Sequence, residues 1–286
     1  MFNKSYIALI LYCCLLVKIV VAVSPPQIRN LQCDCGVANE RTSKIVGGAV
    51  VTPYKYPWMV TVQADSANGL SVCGGALITR QYVLTAAHCL EDHWSVSVGI
   101  AVHDLARPGQ MIPASEKIIH PNYIGEPFYD VGLIKLSEAV TLSEEVGTLC
   151  LPHNVKYEQP GRHAFAAGWG RIRPPTSPKG KDGPVRRFLK EIDLKILQAD
   201  EWLISAEGIT GSGVCNGDSG SPLFTRYEDG RFHVIGVTSI GLKYCSGPSF
   251  YPRISALNQW IMSNIMDSAP CETASHQKAL NETNYL

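Results

Sequence analysis

The sequence has no excess of either charge: 25 Lys and Arg stand against 25 Asp and Glu. Nothing in that balance favours broad electrostatic capture of nucleic acid or of an anionic membrane. Charge is also sparse, at 17% of residues against 45% hydrophobic, which excludes a chain that stays mostly disordered. Long hydrophobic runs are missing: the apolar stretch 6–17 is closed by Lys18, short of the about 20 residues that cross a bilayer comfortably. The far end is polar and lacks the apolar block of a lipid-anchor signal. There is no internal repeat of fixed period. The His and Cys residues do not fall in a metal-ligand spacing, so neither a metal nor a cofactor is expected.

What is present begins with a short charged start at Lys4, the apolar stretch, and small residues at Val20 and Ala22. Residues 1–22 therefore read as a removable secretion signal and the product as extracellular, with a retained signal-anchor as the other reading. Removal leaves 23 basic against 25 acidic residues and takes away Cys13 and Cys14. Of ten cysteines, eight remain: Cys33, Cys35, Cys73, Cys89, Cys150, Cys215, Cys245 and Cys271. With 18 Pro and 25 Gly, they indicate a loop-rich chain matured in an oxidising compartment. Residues 272–286 form a polar tail that holds a glycosylation sequon at Asn281-Glu282-Thr283.

Between these ends the chain reads as short apolar or alternating runs separated by turn residues, among them 57–63, 75–79, 82–85, 95–98, 131–136, 188–197 and 233–240. Their length and β-branched content favour strands. One late segment differs: Ser255 is placed to cap a helix in which Leu257, Ile261 and Ile265 recur every four positions, with Trp260 beside them. Many strands followed by a terminal helix imply an all-β sandwich or barrel architecture. Residues 171–187 form the clearest surface loop, with three prolines, two glycines and further Pro184 around six basic residues and a single Asp182. A solvated, protease-exposed loop is the plain reading, and an anionic docking patch the functional one.

Three segments carry chemistry together: the TAAHC stretch ending at His88-Cys89, Asp130-Val131-Gly132-Leu133, and Cys215-Asn216-Gly217-Asp218-Ser219-Gly220. Each alone reads as structure: a satisfied histidine, an Asp closing a turn, a tight Gly-rich turn. In combination they fit one reaction. A serine hydroxyl needs a base within hydrogen-bond reach, imidazole has the right proton affinity, and a buried carboxylate fixes the imidazole's tautomer and stabilises its charged form. Glycines around Ser219 allow backbone N–H groups to converge on a developing oxyanion, worth about 3 kcal/mol per donor.

Ile45-Val46-Gly47-Gly48, TAAHC, Asp-Val-Gly-Leu-Ile-Lys-Leu from Asp130, Gly168-Trp169-Gly170 and Gly217-Asp218-Ser219-Gly220 occur in one order. In this the chain resembles trypsin/chymotrypsin-like serine proteases from residue 45 to about 266. The resemblance implies two six-stranded antiparallel β-barrels with a C-terminal α-helix and a site in the cleft between the barrels. It implies His88 as general base, Asp130 as its orienting partner, Ser219 as nucleophile, and the N–H groups of Gly217 and Ser219 as oxyanion hole. It further implies a zymogen: cleavage after Lys44 by a trypsin-like activating protease frees the Ile45 amino group to pair with Asp218. Residues 23–44 would then be a propeptide or light chain, and 45–271 the protease domain. By the same resemblance Cys73 pairs with Cys89 and Cys215 with Cys245. Cys150 pairs with Cys33 or Cys35, and the remaining N-terminal cysteine with Cys271.

The sequence also departs from the family. Two usual bridges are absent, one that would join the neighbourhoods of Ala164 and Thr225 and one that would close the short stretch 189–215. Ser221 stands where the family has Gly, with strain in the turn as the expected consequence, and Ile240 stands where a Trp usually lines the cleft. The implied substrate pocket comprises Gly213, Val214, Ser239, Gly241 and Ser249, none of them negatively charged. A cationic substrate side chain would be buried there without a partner. The expectation is an uncharged residue before the scissile bond (P1), aromatic or aliphatic. The expected partners are protein or peptide substrates, the activating protease and protein inhibitors, with no nucleic acid and no membrane. The alternative is a non-catalytic protease homologue acting as a binding or cofactor protein.

Overall fold

The computed structural model describes residues 34–39, 50–107, 109–170, 187–209, 217–241 and 247–270. All of these belong to one of the chain's two compact units, Cys33–Leu286; the other, Met1–Gln32, lies outside the described residues, as do Lys44, Ile45, Gly213, Val214 and Asn281.

The first half is a closed barrel. Strands β1 (Met59–Ser66), β2 (Gly69–Leu77), β3 (Tyr82–Thr85), β4 (Ser95–Ile100), β5 (Gln110–Ile119) and β6 (Gly132–Leu136) pair in the order β1-β2-β3-β6-β5-β4. A two-residue connection joins β1 to β2, and Gly69 after it takes φ +105°, a conformation in which only glycine is unstrained. Strand β5 tolerates Pro113 because the ladder to β6 starts at Ala114 and slips between Ala114 and Glu116, a bulge that bends the strand around the barrel.

The second half is a sheet of β7 (His163–Gly168), β8 (Lys190–Ala199), β9 (Leu203–Gly208), β10 (Pro222–Arg226), β11 (Phe232–Val237), β12 (Ile240–Gly241) and β13 (Ser249–Pro252), ordered β11-β10-β7-β8-β9-β13-β12. It has seven members where six were expected, because the two-residue β12 forms its own rung. An isolated antiparallel bridge between Gly236 and Arg253 draws β11 toward the end of β13 and curls the sheet. That approach needs a glycine: a Cβ on Gly236 would sit 2.7 Å from Tyr251 Cβ.

Helix α1 (Ile254–Asn264) buries Ile254, Leu257 and Ile261. The expected cap is corrected. Arg253 stands at the N-cap position without a side-chain cap, and the Ser255 hydroxyl instead donates to Glu158 Oε2 at 2.7 Å. An aromatic seam joins the halves: Trp58, fully buried, meets Phe224 of β10 edge-on at 5.5 Å and Phe232 of β11 at 5.7 Å. Aromatic contacts of this kind exceed their burial energy by about 0.5–1.5 kcal/mol each.

Two disulfides lie within the described residues, Cys73–Cys89 and Cys35–Cys150, so Cys35 is the partner of Cys150. Cys33, Cys215, Cys245 and Cys271 fall outside them. Where the family bridge near Ala164 and Thr225 is absent, Thr225 Oγ1 donates to His163 O at 2.8 Å, linking β10 to β7. Among the described residues no helix is long and apolar enough to cross a membrane.

Candidate active site

His88 sits in a single 3-10 turn (Ala87–Cys89) directly after β3, and Cys89 is bonded to Cys73 on β2. Asp130 ends another such turn (Pro127–Tyr129) just before β6. Because Thr85 pairs with Gly132, the end of β3 and the start of β6 are neighbours, which carries His88 to Asp130. Gly132 has to be small here, since a Cβ would lie 2.7 Å from Leu90 Cδ1.

Asp130 is 3% exposed and accepts three hydrogen bonds. Its Oδ1 takes the His88 backbone N–H at 2.9 Å, and its Oδ2 takes His88 Nδ1 at 2.7 Å and the Ser239 hydroxyl at 2.5 Å. A carboxylate only accepts, so Nδ1 carries the proton and Nε2 holds the lone pair in the neutral ring. Among the described residues Nε2 makes no hydrogen bond, and the His88 side chain is 34% exposed, so this nitrogen is open to a substrate's proton. Tyr123 lies close enough to feel Asp130 and Glu91; burial first, and then their negative charge, pushes its hydroxyl up to about 12, so it remains a neutral neighbour of the carboxylate.

The Ser219 turn is held against the same strands. Gly217 and Gly220 adopt φ +95° and +77°, and Ser219 between them is half-buried. Gly74 N donates to Ser219 O and Gly220 N to Thr238 O, both at 2.8 Å. A Cβ on Gly220 would collide with Thr85 Oγ1 and lie 2.5 Å from Gly74 O and 3.2 Å from Ala86 N, so the turn packs on the strand end that leads into His88. Among the described residues Ser219 Oγ makes no hydrogen bond to His88. The strain expected at Ser221 is corrected: its φ is not positive, and Gly217 and Gly220 absorb the left-handed positions instead. Asp218 turns toward Gly168-Trp169-Gly170, accepting the Gly170 N–H at 2.8 Å; a Cβ on either glycine would collide with its carboxylate.

Of the expected pocket residues, Gly241 pairs with Ser249 across β12 and β13, Ser249 is 1% exposed, and Ser239 N donates to Phe250 O at 3.2 Å. Ile240 is 45% exposed beside them. Besides its expected place in the pocket, Ser239 has a contact that the motif spacing gave no sign of: its hydroxyl bonds Asp130. Gly74 also escaped sequence reasoning. The only available signal was the Gly74-Gly75 pair inside a strand pattern, which marks a close backbone approach. Ligand atoms of Cys73, His88 and Cys89 lie within 4.8 Å of one another, but the disulfide consumes both sulfurs as thiolate donors.

A family model described as Trypsin matches residues 45–261. The chain belongs to the trypsin family. The match spans both sheets and the start of the helix, so the trypsin-family assignment covers the segments that carry His88, Asp130 and Ser219. Similar proteins include transmembrane protease serine 11G of Rattus norvegicus, 28% identical over 265 residues, covering 85% of this chain and 60% of that protein. Serine proteinase stubble of Drosophila melanogaster is 29% identical over 264 residues, covering 81% of this chain and 32% of its own length. Clotting factor G beta subunit of Tachypleus tridentatus is 29% identical over 259 residues, covering 77% and 79%. The chain thus spans 60% and 32% of the first two relatives, and only part of their length has a counterpart here.

Proposed function

We propose that this trypsin-family chain is a secreted serine endopeptidase, made as a zymogen and activated by cleavage after Lys44. One observation carries the reading: a buried Asp130 carboxylate holds the Nδ1 edge of His88, leaving Nε2 open beside the turn that presents Ser219. Ser219 Oγ attacks the peptide carbonyl while His88 Nε2 takes its proton. The Gly217 and Ser219 N–H groups receive the oxyanion, and His88 returns the proton to the leaving amine; water then repeats the cycle on the acyl-enzyme. Such proton transfer typically contributes 10²–10⁴-fold to the rate, about 3–5 kcal/mol of barrier.

Activation follows from the place of Asp218 in the turn. Asp218 is half-buried beside the nucleophile and accepts the Gly170 N–H, so an Ile45 ammonium released by cleavage would add a charge-assisted bond that favours the working form of the turn. A trypsin-like activating protease is the implied partner, with protein substrates and inhibitors at the cleft. Ser239, Gly241 and Ser249 carry no negative charge, and neither do Gly213 and Val214, so P1 is uncharged, aromatic or aliphatic.

The test is direct. The chain is cut after Lys44 and offered peptides with Phe, Leu, Ala or Arg at P1, beside a Ser219→Ala control. Turnover of the uncharged substrates that vanishes in the control is expected. Fastest turnover after Arg overturns the pocket reading. A folded, cut protein that does not react with a fluorophosphonate at Ser219 overturns the enzyme and favours a non-catalytic binding homologue.

A further inference from the structure

Arg253 ties together β11, the β8–β9 turn and a 3-10 turn that precedes β7. Its backbone N donates to Trp202 O at 2.7 Å, and its backbone bridges Gly236 of β11. Its Nη1 donates to Asp200 O at 2.6 Å and its Nε to Glu158 Oε2 at 2.5 Å. The acceptors belong to the β8–β9 turn and to a 3-10 turn, Val155–Glu158. Asp200 in turn closes its own loop, its Oδ1 accepting the N–H groups of Trp202 and Leu203 at 2.8 and 2.7 Å. Glu158 is fully buried and the Arg253 side chain is 16% exposed, so the pair is shielded from solvent. Burial raises the Glu158 carboxyl against the opposing pull of Arg253 and Ser255.

We propose that Arg253 is a positioning residue for the substrate pocket: it fixes the register of β9 against β13 and thereby the wall made by Ser249, Ile240 and Gly241. The proposal rests on the proteolytic reading above. Strand β9 leads directly into the segment that ends at the oxyanion residue Gly217, and residues 189–214 contain no cysteine to pin that path. Its other neighbours do not fix it alone. The β8–β9 ladder slips between Ile196 and Gln198, and β12, the outer neighbour of β13, is two residues long. The register Ser249↔Ala206, Tyr251↔Ile204, Pro252↔Leu203 is instead fastened at its far end, where Arg253 holds Asp200 and Trp202. A shift of one residue would send Phe250 inward and take Ser249 and Tyr251 off the buried face. Arginine suits the task because its fork reaches two acceptors at once, which an ammonium cannot do from one point.

Removing Arg253 alone leaves Glu158 buried as an unpaired ion, so the decisive variant changes both, Arg253→Met with Glu158→Leu. Full-length protein cut after Lys44 is measured three ways: thermal unfolding, the rate of Ser219 labelling by a dialkyl fluorophosphate that has no P1 side chain, and kcat and KM for the best P1 peptide. The double variant is expected to fold and to label within about twofold of the parent, while KM rises about tenfold with kcat nearly unchanged. Arg253→Lys, which keeps the charge but not the reach to Asp200, is expected to fall between. Unchanged KM in a folded variant overturns the proposal, and so do labelling and KM that worsen in parallel, which marks general loosening. A folded, cut parent that resists labelling overturns the proteolytic reading and the proposal with it, whereas a labelled parent with unchanged KM in the variant overturns the proposal alone.

Discussion

Gly74 and Ser221 share one space in the molecule. A Cβ on Gly74 would collide with Ser221 Oγ and lie 3.1 Å from Ser221 Cβ, while the Gly74 N–H holds the Ser219 carbonyl. The Ser221 hydroxyl is buried and makes no hydrogen bond among the described residues, so it fills volume without adding a polar contact. Gly74→Ala is therefore expected to destabilise by about 1–3 kcal/mol, the range for overpacking a tight site, and to slow Ser219 labelling. Combining it with Ser221→Gly is expected to restore most of both, because the added methyl then occupies the vacated place. Thermal unfolding of the single and double variants decides the matter, and equal losses in the two would refute the shared space. At this scale the motifs made His88, Asp130 and Ser219 legible as candidates, because their neighbours in sequence are their neighbours in function. The Ser239–Asp130 bond and the Gly74–Ser221 fit were not legible. Both depend on which strands pack side by side, and no local pattern records that.

Among the elements, β3 has the bounds read from the sequence, β4 ends two residues later and β6 starts one residue later, because each is a run of apolar and β-branched residues bounded by turn signals. The expected strand over 233–240 divides into β11 and β12, since Thr238 and Ser239 turn away to bond Ser221 O and Phe250 O. Strand β11 is buried along its whole length and carries His233, 1% exposed, in that core. The ring stacks on Tyr227 at 3.8 Å, meets His153 edge-on at 4.8 Å, donates from Nδ1 to Leu151 O at 3.0 Å, and faces Asp229 at 3.4 Å. Burial, the largest effect, lowers its pKa below the ordinary 6.5, outweighing the Leu151 bond and the Asp229 charge. The sign follows: below pH 6.5 the unfolded chain takes up a proton that folded His233 refuses, so stability present above that pH is lost as the pH falls toward the folded value. His103 and His120, also lowered by burial, act in the same direction. His233→Phe keeps the stack on Tyr227 and cannot titrate. Its melting temperature, lower than the parent's at pH 8, is expected to fall less steeply between pH 6.5 and 5. Parallel curves for parent and variant would remove His233 from the acid response.

At the scale of the whole molecule, the segment 34–39 lies on both halves of the described structure. Gly36 N donates to Thr148 O at 2.7 Å, and Phe232 N of β11 donates to Gly36 O at 2.9 Å. Only glycine fits there, because φ is +68° and a Cβ would run into the Phe232 backbone. Arg231 reaches Asp34 at 3.2 Å, and the Asn39 amide donates to Tyr54 O and Glu144 O at 2.7 and 2.6 Å. The bond Cys35–Cys150 closes a separation of 115 residues. These contacts suffice only with a covalent link. At roughly 1 kcal/mol net per hydrogen bond, they are matched by roughly 1–2 kcal/mol of backbone entropy for each residue held. A free peptide would lose a further 4 kcal/mol or more, roughly, in translational and rotational freedom on docking. After cleavage at Lys44 the N-terminal fragment is therefore expected to travel with the larger one on gel filtration and to part from it on reduction. Cys35→Ser alone leaves Cys33, whose expected partner is Cys271, so the informative protein carries Cys33→Ser and Cys35→Ser together. Once cut, it is expected to shed the fragment in non-denaturing buffer, with intact mass of the eluted species as the readout. Retention of the fragment without either cysteine would mean that the docked segment is held by more than the contacts described, and the entropic argument for the tether would fail.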